Sequence, residues 1–165
     1  MAKEKILKTN AARLLDKAGI AYDLVPYPVD EEHLDAGHIA EVLDEDINRV
    51  FKTLVLRGER KGHFVCVIPG NMEVDLKKAA KAFGDKKAEM IHVKELLPLT
   101  GYIRGGCSPV GMKKPLPTFF HESVGNFDAI FVSAGQRGLQ LHINPKDLIE
   151  YTGSTVADIA VPMES

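Results

Sequence analysis

A lysine lies within an apolar segment that is otherwise typical of a buried β-strand. Lys52 stands in Val50-Phe51-Lys52-Thr53-Leu54-Val55-Leu56, which is rich in β-branched and aromatic residues and precedes Arg57-Gly58. Moving an ammonium group out of water costs on the order of several kcal/mol. Two interpretations are open. The lysine stem lies on apolar surface with its head in water, or the head enters a pocket and binds an anionic or carbonyl oxygen there.

A glycine-rich segment, Thr100–Gly111, is the second part of the chain that could do chemistry. It contains four glycines and a proline. Backbone without Cβ atoms lets a ligand approach main-chain N–H groups closely. The segment lacks the Gly-Lys-Ser/Thr ending of a phosphate-binding P-loop, and no G-x-G-x-x-G occurs. It therefore predicts either a loop that offers backbone donors to a ligand or an irregular connection with a β-bulge.

The remaining reactive side chains do not form a familiar catalytic pattern. The six histidines are scattered without H-E-x-x-H or paired-ligand spacing, so no metal is expected. Neither Ser108 nor Ser133 lies in a G-x-S-x-G motif. Cys66 lies in an apolar segment and is expected to pack there, whereas Cys107 is either a covalent nucleophile or a thiol that lines a pocket. What remains suits electrostatic stabilisation of a carbonyl or phosphate oxygen.

Length and composition indicate one globular domain over residues 1–165. No apolar segment approaches the length of a membrane span. Two cysteines form no disulfide framework, so a reducing cytoplasm is the expected location.

The charge pattern leaves two interpretations of the lysines open. A net charge of −2 argues against a strongly basic nucleic-acid binder. Seven lysines are nevertheless clustered in the sequence. They are Lys77, Lys78, Lys81, Lys86, Lys87, Lys113 and Lys114. They form either a solvated face or a place where phosphates bind in a salt-dependent way.

Strand-like and helix-like segments are interspersed without strict alternation, which indicates an α+β fold with a mixed sheet. His63–Pro69 is apolar on both faces and is predicted to be a central strand. Asp75 and Gly84 are typical of the start and the end of the lysine-rich helix between them. A short helix over Val93–Leu97 is expected to end before Pro98.

Four segments, in this order, resemble a known family. They are Phe51-Lys52-Thr53-Leu54, Asp75-Leu76-Lys77-Lys78-Ala79-Ala80, Thr100-Gly101-Tyr102 with Gly105–Gly111, and Val132–Leu139. Together they are similar to the YbaK/EbsC family of Cys-tRNA(Pro) deacylases, which is related to the editing domain of bacterial prolyl-tRNA synthetase. The resemblance extends from about Ala11 to Ile159. It implies a curved, barrel-like mixed β-sheet flanked by helices.

The resemblance also implies a function. The expected activity is trans-editing, the removal of cysteine from mischarged Cys-tRNA(Pro), with Cys-tRNA(Cys) as a second candidate substrate. The substrate's own thiol would attack its ester carbonyl, so the reaction is either a hydrolysis or a lyase-type cyclisation. No cofactor is implied. Prolyl-tRNA synthetase is a candidate partner for selecting the tRNA. The alternative is a non-catalytic tRNA-binding, nucleotide-binding or regulatory module on the same fold.

By resemblance, Lys52 would be the essential lysine that holds the terminal adenosine or a neighbouring phosphate. Five further residues would bind substrate: Thr53 beside the lysine, Gly105 and Gly106 through their backbone, Ser133 at the aminoacyl or ribose end, and Tyr27 at the flank of the pocket. The chain departs from the family in three places. Gln140 stands where some members have an acidic residue, Cys107 where several have a branched aliphatic one, and Leu34–Gly37 differs from the family's pattern.

Overall fold

The computed structural model describes residues 8–163. The described elements are five α-helices, two 3-10 helices and ten strands. The α-helices are α1 (Asn10–Lys17), α2 (Ala36–Leu43), α3 (Leu76–Phe83), α4 (Val93–Thr100) and α5 (Pro145–Thr152). The 3-10 helices are Ile47–Arg49 and Glu122–Asn126. The strands are β1 (Tyr22–Pro26), β2 (Phe51–Gly58), β3 (His63–Pro69), β4 (Met72–Val74), β5 (Ala88–Met90), β6 (Thr118–His121), β7 (Ile130–Gln136), β8 (Leu139–Ile143), β9 (Thr155–Ala157) and β10 (Ala160–Pro162).

The described strands form three open sheets. The largest has the order β5-β2-β3-β6-β9, a second has the order β1-β8-β7, and β10 pairs with β4. In the largest sheet β2 is antiparallel to β3 and β5, whereas β6 is parallel to β3 and β9. The α+β class and the mixed sheet are therefore as predicted. The expected barrel is not found, because these sheets do not close on themselves and a single bridge between Val50 and Phe131 joins β7 to the start of β2.

The central position of β3 is confirmed, and it divides the interior into two cores. Val65 and Val67 pack in the core beneath β7 and β8, and Phe64 and Ile68 pack in the core against α3. Alternation along the strand sends successive side chains to opposite faces, so a strand between two cores must be apolar on both. Cys66 lies in the second core, fully buried, as predicted for a packed thiol.

Three of the described helices begin at a residue whose side chain caps them, and the cap of α3 is the predicted one. The side chains of Thr9, Asp35 and Asp75 accept hydrogen bonds from the first-turn N–H groups of α1, α2 and α3. Gly84 ends α3 in the left-handed conformation, with φ of 80°. None of the helices within residues 8–163 combines the length and apolarity that crossing a bilayer requires.

The prediction that Pro98 ends α4 is wrong. The helix continues to Thr100 and is capped by Gly101, whose φ is 83°. The Gly101 N–H donates to the carbonyl of Leu97 at 2.9 Å, and the Thr100 hydroxyl donates to the carbonyl of Leu96 at 2.7 Å. These bonds hold the last turn around the proline, which itself removes only one backbone donor.

Candidate active site

A cavity of about 370 Å³ lies at the edge of β2. Strand β5 pairs with β2 only over Leu56–Gly58, so the first part of β2 has no strand beside it on that edge. The start of α2, the start of α4 and the glycine-rich segment close around this open edge. Most of the wall is apolar, and a small number of polar groups converge on it, as is usual for ligand sites.

Lys52 lines this cavity and is half-buried. Its Nζ donates a long hydrogen bond of 3.4 Å to the carbonyl of Gly70. Burial lowers the pKa of Lys52 from its usual 10.5, while the negative charges of Asp35 and Glu73 oppose that shift. Among the ion pairs of the described residues none involves Lys52. The lysine therefore presents a partly desolvated cation that can bind an oxygen anion or a polarised carbonyl.

Thr53 also lines this cavity, and its hydroxyl and its backbone have different surroundings. Its Oγ1 is buried without a hydrogen-bond partner in the described part of the chain. The carbonyl of Val50 bonds to Gly70 on the β3 side, and the carbonyl of Val55 accepts from Ile91 on the opposite edge. Backbone groups alternate in direction along an antiparallel ladder. Thr53 lies two residues before Val55 in the same strand, so its N–H and C=O also point away from β3, toward the cavity.

The structure separates the two adjacent glycines of the glycine-rich segment. Gly105 lines the cavity with φ of 83°, and an added Cβ would lie 3.3 Å from the side chain of Leu34. Gly106 does not line it. Its N–H donates to the carbonyl of Ile103 at 2.9 Å, and an added Cβ would lie 3.1 Å from backbone atoms at the β7–β8 turn. Gly106 thus lets the loop pack against the turn, and of the two glycines only Gly105 borders the cavity.

Cys107 follows these glycines and also lines the cavity, with 8% of its surface exposed. Burial raises the pKa of the Cys107 thiol to about 12, and a hydrogen bond with Thr100 offsets little of that effect. A thiol with such a pKa is ionised to only about one part in 10⁵ at neutral pH. The environment therefore favours a thiol that packs the wall over a covalent nucleophile.

Ser133 and Gln140 face each other across β7 and β8 and both line the cavity. Ser133 Oγ accepts from the N–H of Gly135 at 3.1 Å. Gln140 is 2% exposed, and within residues 8–163 its Oε1 has no partner. Sequence reasoning did not assign Gln140 to the site. The signal was its cross-strand position opposite Ser133, which becomes visible only when the pairing register is known.

Tyr27 is not among the residues that line the cavity. It lies just after β1, its N–H donates to the carbonyl of Gly138 at 3.0 Å, and its ring packs in a small apolar cluster that includes Ile39 and Phe131. The structure thus brings four of the predicted site residues to one cavity: Lys52, Thr53, Gly105 and Ser133. Tyr27 and Gly106 do not line it.

A group of possible metal ligands lies away from the cavity. Suitable atoms of His121, Glu122 and Asp158 lie within 4.8 Å of one another. Lys78 already donates to both oxygens of Asp158, at 3.0 and 3.2 Å, and His121 Nδ1 accepts from the N–H of Ile159 at 3.3 Å. In this structure Asp158 is therefore engaged in an ion pair with Lys78, and His121 in a hydrogen bond with the backbone.

Comparison with known proteins agrees with the fold. Residues 30–151 match the model of the aminoacyl-tRNA editing domain family. The chain belongs to this family, which confirms the resemblance seen in the sequence. Over 160 residues it is 48% identical to EbsC of Enterococcus faecalis, named as a proposed Cys-tRNA(Pro)/Cys-tRNA(Cys) deacylase, and the match covers 96% of this chain and 98% of that protein.

Two further matches are to proteins whose names refer to prolyl-tRNA synthetase. It is 33% identical over 76 residues to the proline–tRNA ligase of Thermosipho africanus, a match that covers 46% of this chain and 13% of the ligase. A crystal structure described as that of a proposed trans-editing enzyme for prolyl tRNA synthetase superimposes with a TM-score of 0.81 at 28% identity, covering 94% of this chain and 99% of that one.

Proposed function

We propose that this protein is a trans-editing deacylase that removes cysteine from mischarged Cys-tRNA(Pro), with Cys-tRNA(Cys) as a second substrate. The observation that carries the proposal is the placement of Lys52. A half-buried ammonium group without an ion-pair partner among the described residues faces a cavity at the open edge of β2. The similarity over nearly the full length to EbsC supports the same substrate class.

In the proposed complex the acceptor end of the tRNA enters the cavity with its terminal phosphate or adenosine at Lys52. The Ser133 hydroxyl holds the ribose or the aminoacyl end. The Thr53 N–H, directed away from β3, and the backbone at Gly105 are the proposed donors to the ester carbonyl. Donors that are fixed before the reaction stabilise developing negative charge on that oxygen without a cost of reorganisation.

The proposed reaction uses the substrate as its own nucleophile. The cysteine sulfur forms a bond to the ester carbonyl carbon, the bond from that carbon to the ribose oxygen breaks, and the proton of the thiol passes to the ribose oxygen. Water then opens the cyclic thioester to give free cysteine. Holding the reacting atoms in position can lower such a barrier by roughly 7–11 kcal/mol in favourable intramolecular cases. A protonated Cys107 is consistent with a site that supplies no nucleophile of its own.

A direct test is the release of radiolabelled amino acid from purified Cys-tRNA(Pro), Ser-tRNA(Pro) and Ala-tRNA(Pro). Cysteine should be released fastest, because serine and alanine lack an attacking thiol. Equal rates with all three esters would overturn the thiol mechanism. Binding of the tRNA without release of any amino acid would favour the alternative, a non-catalytic tRNA-binding or regulatory module.

Selection of the tRNA is proposed to involve prolyl-tRNA synthetase. A chain with a net charge of −2 has little general attraction for RNA, so a partner that already holds proline tRNA would supply the specificity. Sedimentation of the protein with the synthetase and proline tRNA should show a ternary complex. Failure to form it under conditions where editing proceeds would remove the synthetase from the proposal.

A further inference from the structure

Asp35 is both a helix cap and a residue of the cavity wall. It is the N-cap of α2, where its Oδ2 accepts from the N–H of His38 at 3.1 Å. It also lines the cavity, and among the described residues it is the only acidic side chain that does so. The capping bond fixes the direction of the carboxylate, and within residues 8–163 no group donates to its second oxygen.

The carboxylate of Asp35 and the ammonium of Lys52 share the cavity without pairing. Burial lowers the pKa of Lys52, and the negative charge of Asp35 is near enough to oppose part of that lowering. The two groups are nevertheless not within ion-pair distance in the described structure, since no such pair occurs. Arg104 adds a second cation to the lining. The cavity therefore presents cations to one part of a ligand and one fixed anion to another.

The charges of an aminoacylated RNA end match this arrangement. It carries phosphates and, on the amino acid, an α-amino group whose pKa in model compounds is about 8, so that much of it is protonated at neutral pH. An ammonium group placed beside Lys52 and Arg104 alone would be repelled. A carboxylate on the same wall offsets that repulsion and can accept a charge-assisted hydrogen bond.

We propose that Asp35 is a specificity-determining residue that binds the α-ammonium group of the esterified amino acid. The proposal rests on the proposed function and adds the subsite that distinguishes an α-amino acid from other acyl groups. Asp35 acts by binding and orienting the substrate, so the carbonyl carbon is presented to the thiol with the amine held away from Lys52. It takes no proton in the reaction.

The test compares two variants with the wild-type protein on two substrates. Asp35→Asn keeps a good capping side chain and removes the charge. Asp75→Asn is the matched control, because Asp75 caps the equally long helix α3 by the same kind of bond and does not line the cavity. The substrates are Cys-tRNA(Pro) and 3-mercaptopropionyl-tRNA(Pro), which keeps the thiol and the ester and lacks the amine. Thermal unfolding of each variant checks that the fold is retained.

Asp35→Asn should lower kcat/KM for Cys-tRNA(Pro) about tenfold or more and leave the rate on the desamino substrate within about twofold of wild type. Asp75→Asn should change neither. An equal loss on both substrates, or no loss on either, would overturn the role of Asp35. If the wild-type protein releases nothing from Cys-tRNA(Pro), the proposed function itself fails and this inference with it, so the two failures are distinguishable.

Discussion

Lys52 and Thr53 are neighbours in β2 with side chains on opposite faces of the sheet, yet both line the same cavity. Lys52 shares its face with Leu54, which packs toward the α3 core, whereas Thr53 shares its face with Phe51 and Val55 of the other core. This is geometrically allowed because β5 leaves the first part of β2 uncovered, so the cavity curves around a strand edge. One short segment thus supplies a cation from one face and a main-chain N–H from the open strand edge.

The lowered pKa of Lys52 predicts how ligand binding depends on pH. Because burial lowers the pKa, the cation is lost at a lower pH than for an ordinary lysine with a pKa of 10.5. Affinity for proline tRNA that carries no amino acid, measured at constant salt, should therefore fall as the pH rises toward 10.5. Lys52→Arg should keep its affinity over that range, since guanidinium does not titrate there. An identical decline in both proteins would show that Lys52 is not the titrating group.

The lowered pKa of Lys52 also determines the direction in which the free energy of unfolding changes with pH. The folded state binds the Lys52 proton less tightly than the unfolded state, so burial of the cation destabilises the fold below the lowered pKa. That penalty is relieved as the pH rises through the lowered pKa toward 10.5. Removing the charge should accordingly not lower the melting temperature.

The high pKa of Cys107 predicts that the thiol is dispensable for the chemical step. Cys107→Ala should retain deacylation within about threefold of wild type, with a small loss of stability on the order of 1 kcal/mol from lost packing. Rates are measured on Cys-tRNA(Pro) under single-turnover conditions. Cys66→Ala, in the other core, is the control for packing alone. A loss above a hundredfold with Cys107→Ala in a folded protein would instead identify Cys107 as the nucleophile.

The close approach at Gly106 predicts a structural cost for adding one methyl group. In Gly106→Ala the new Cβ would lie 3.1 Å from backbone atoms of Gln136 and Arg137, which cannot move as a side-chain end can. We expect a loss of unfolding free energy of about 1–3 kcal/mol, measured by denaturant titration. Gly125→Ala is the control, because its Cβ would meet no atom within 4 Å. Equal stability of the two variants would contradict the packing described for the glycine-rich segment.

Local chemistry made part of the fold predictable. Asp75 and Gly84 bound α3 as expected, and His63–Pro69 is a strand with the predicted limits. These features depend on one residue or on one continuous pattern. They can therefore be predicted from the sequence.

Features that depend on distant segments were not predictable in this way. Strands β4, β9 and β10 have three residues each, and each is defined by its partner instead of by its own pattern. Asp35 has the sequence signature of a helix cap, and only the fold of the intervening chain brings it to the edge of β2 near Lys52. The different positions of Gly105 and Gly106 likewise follow from how the loop meets the β7–β8 turn.

The most direct test of the account is the rate of cysteine release from Cys-tRNA(Pro) by Lys52→Ala. Lys146→Ala, at an exposed lysine on α5 outside both the cavity and the lysine cluster, is the control. Removal of the cation that is proposed to orient the acceptor end should lower the rate by a hundredfold or more, on the order of 3 kcal/mol, while the melting temperature stays at or above that of wild type. Full activity of Lys52→Ala in a folded protein would contradict the central claim.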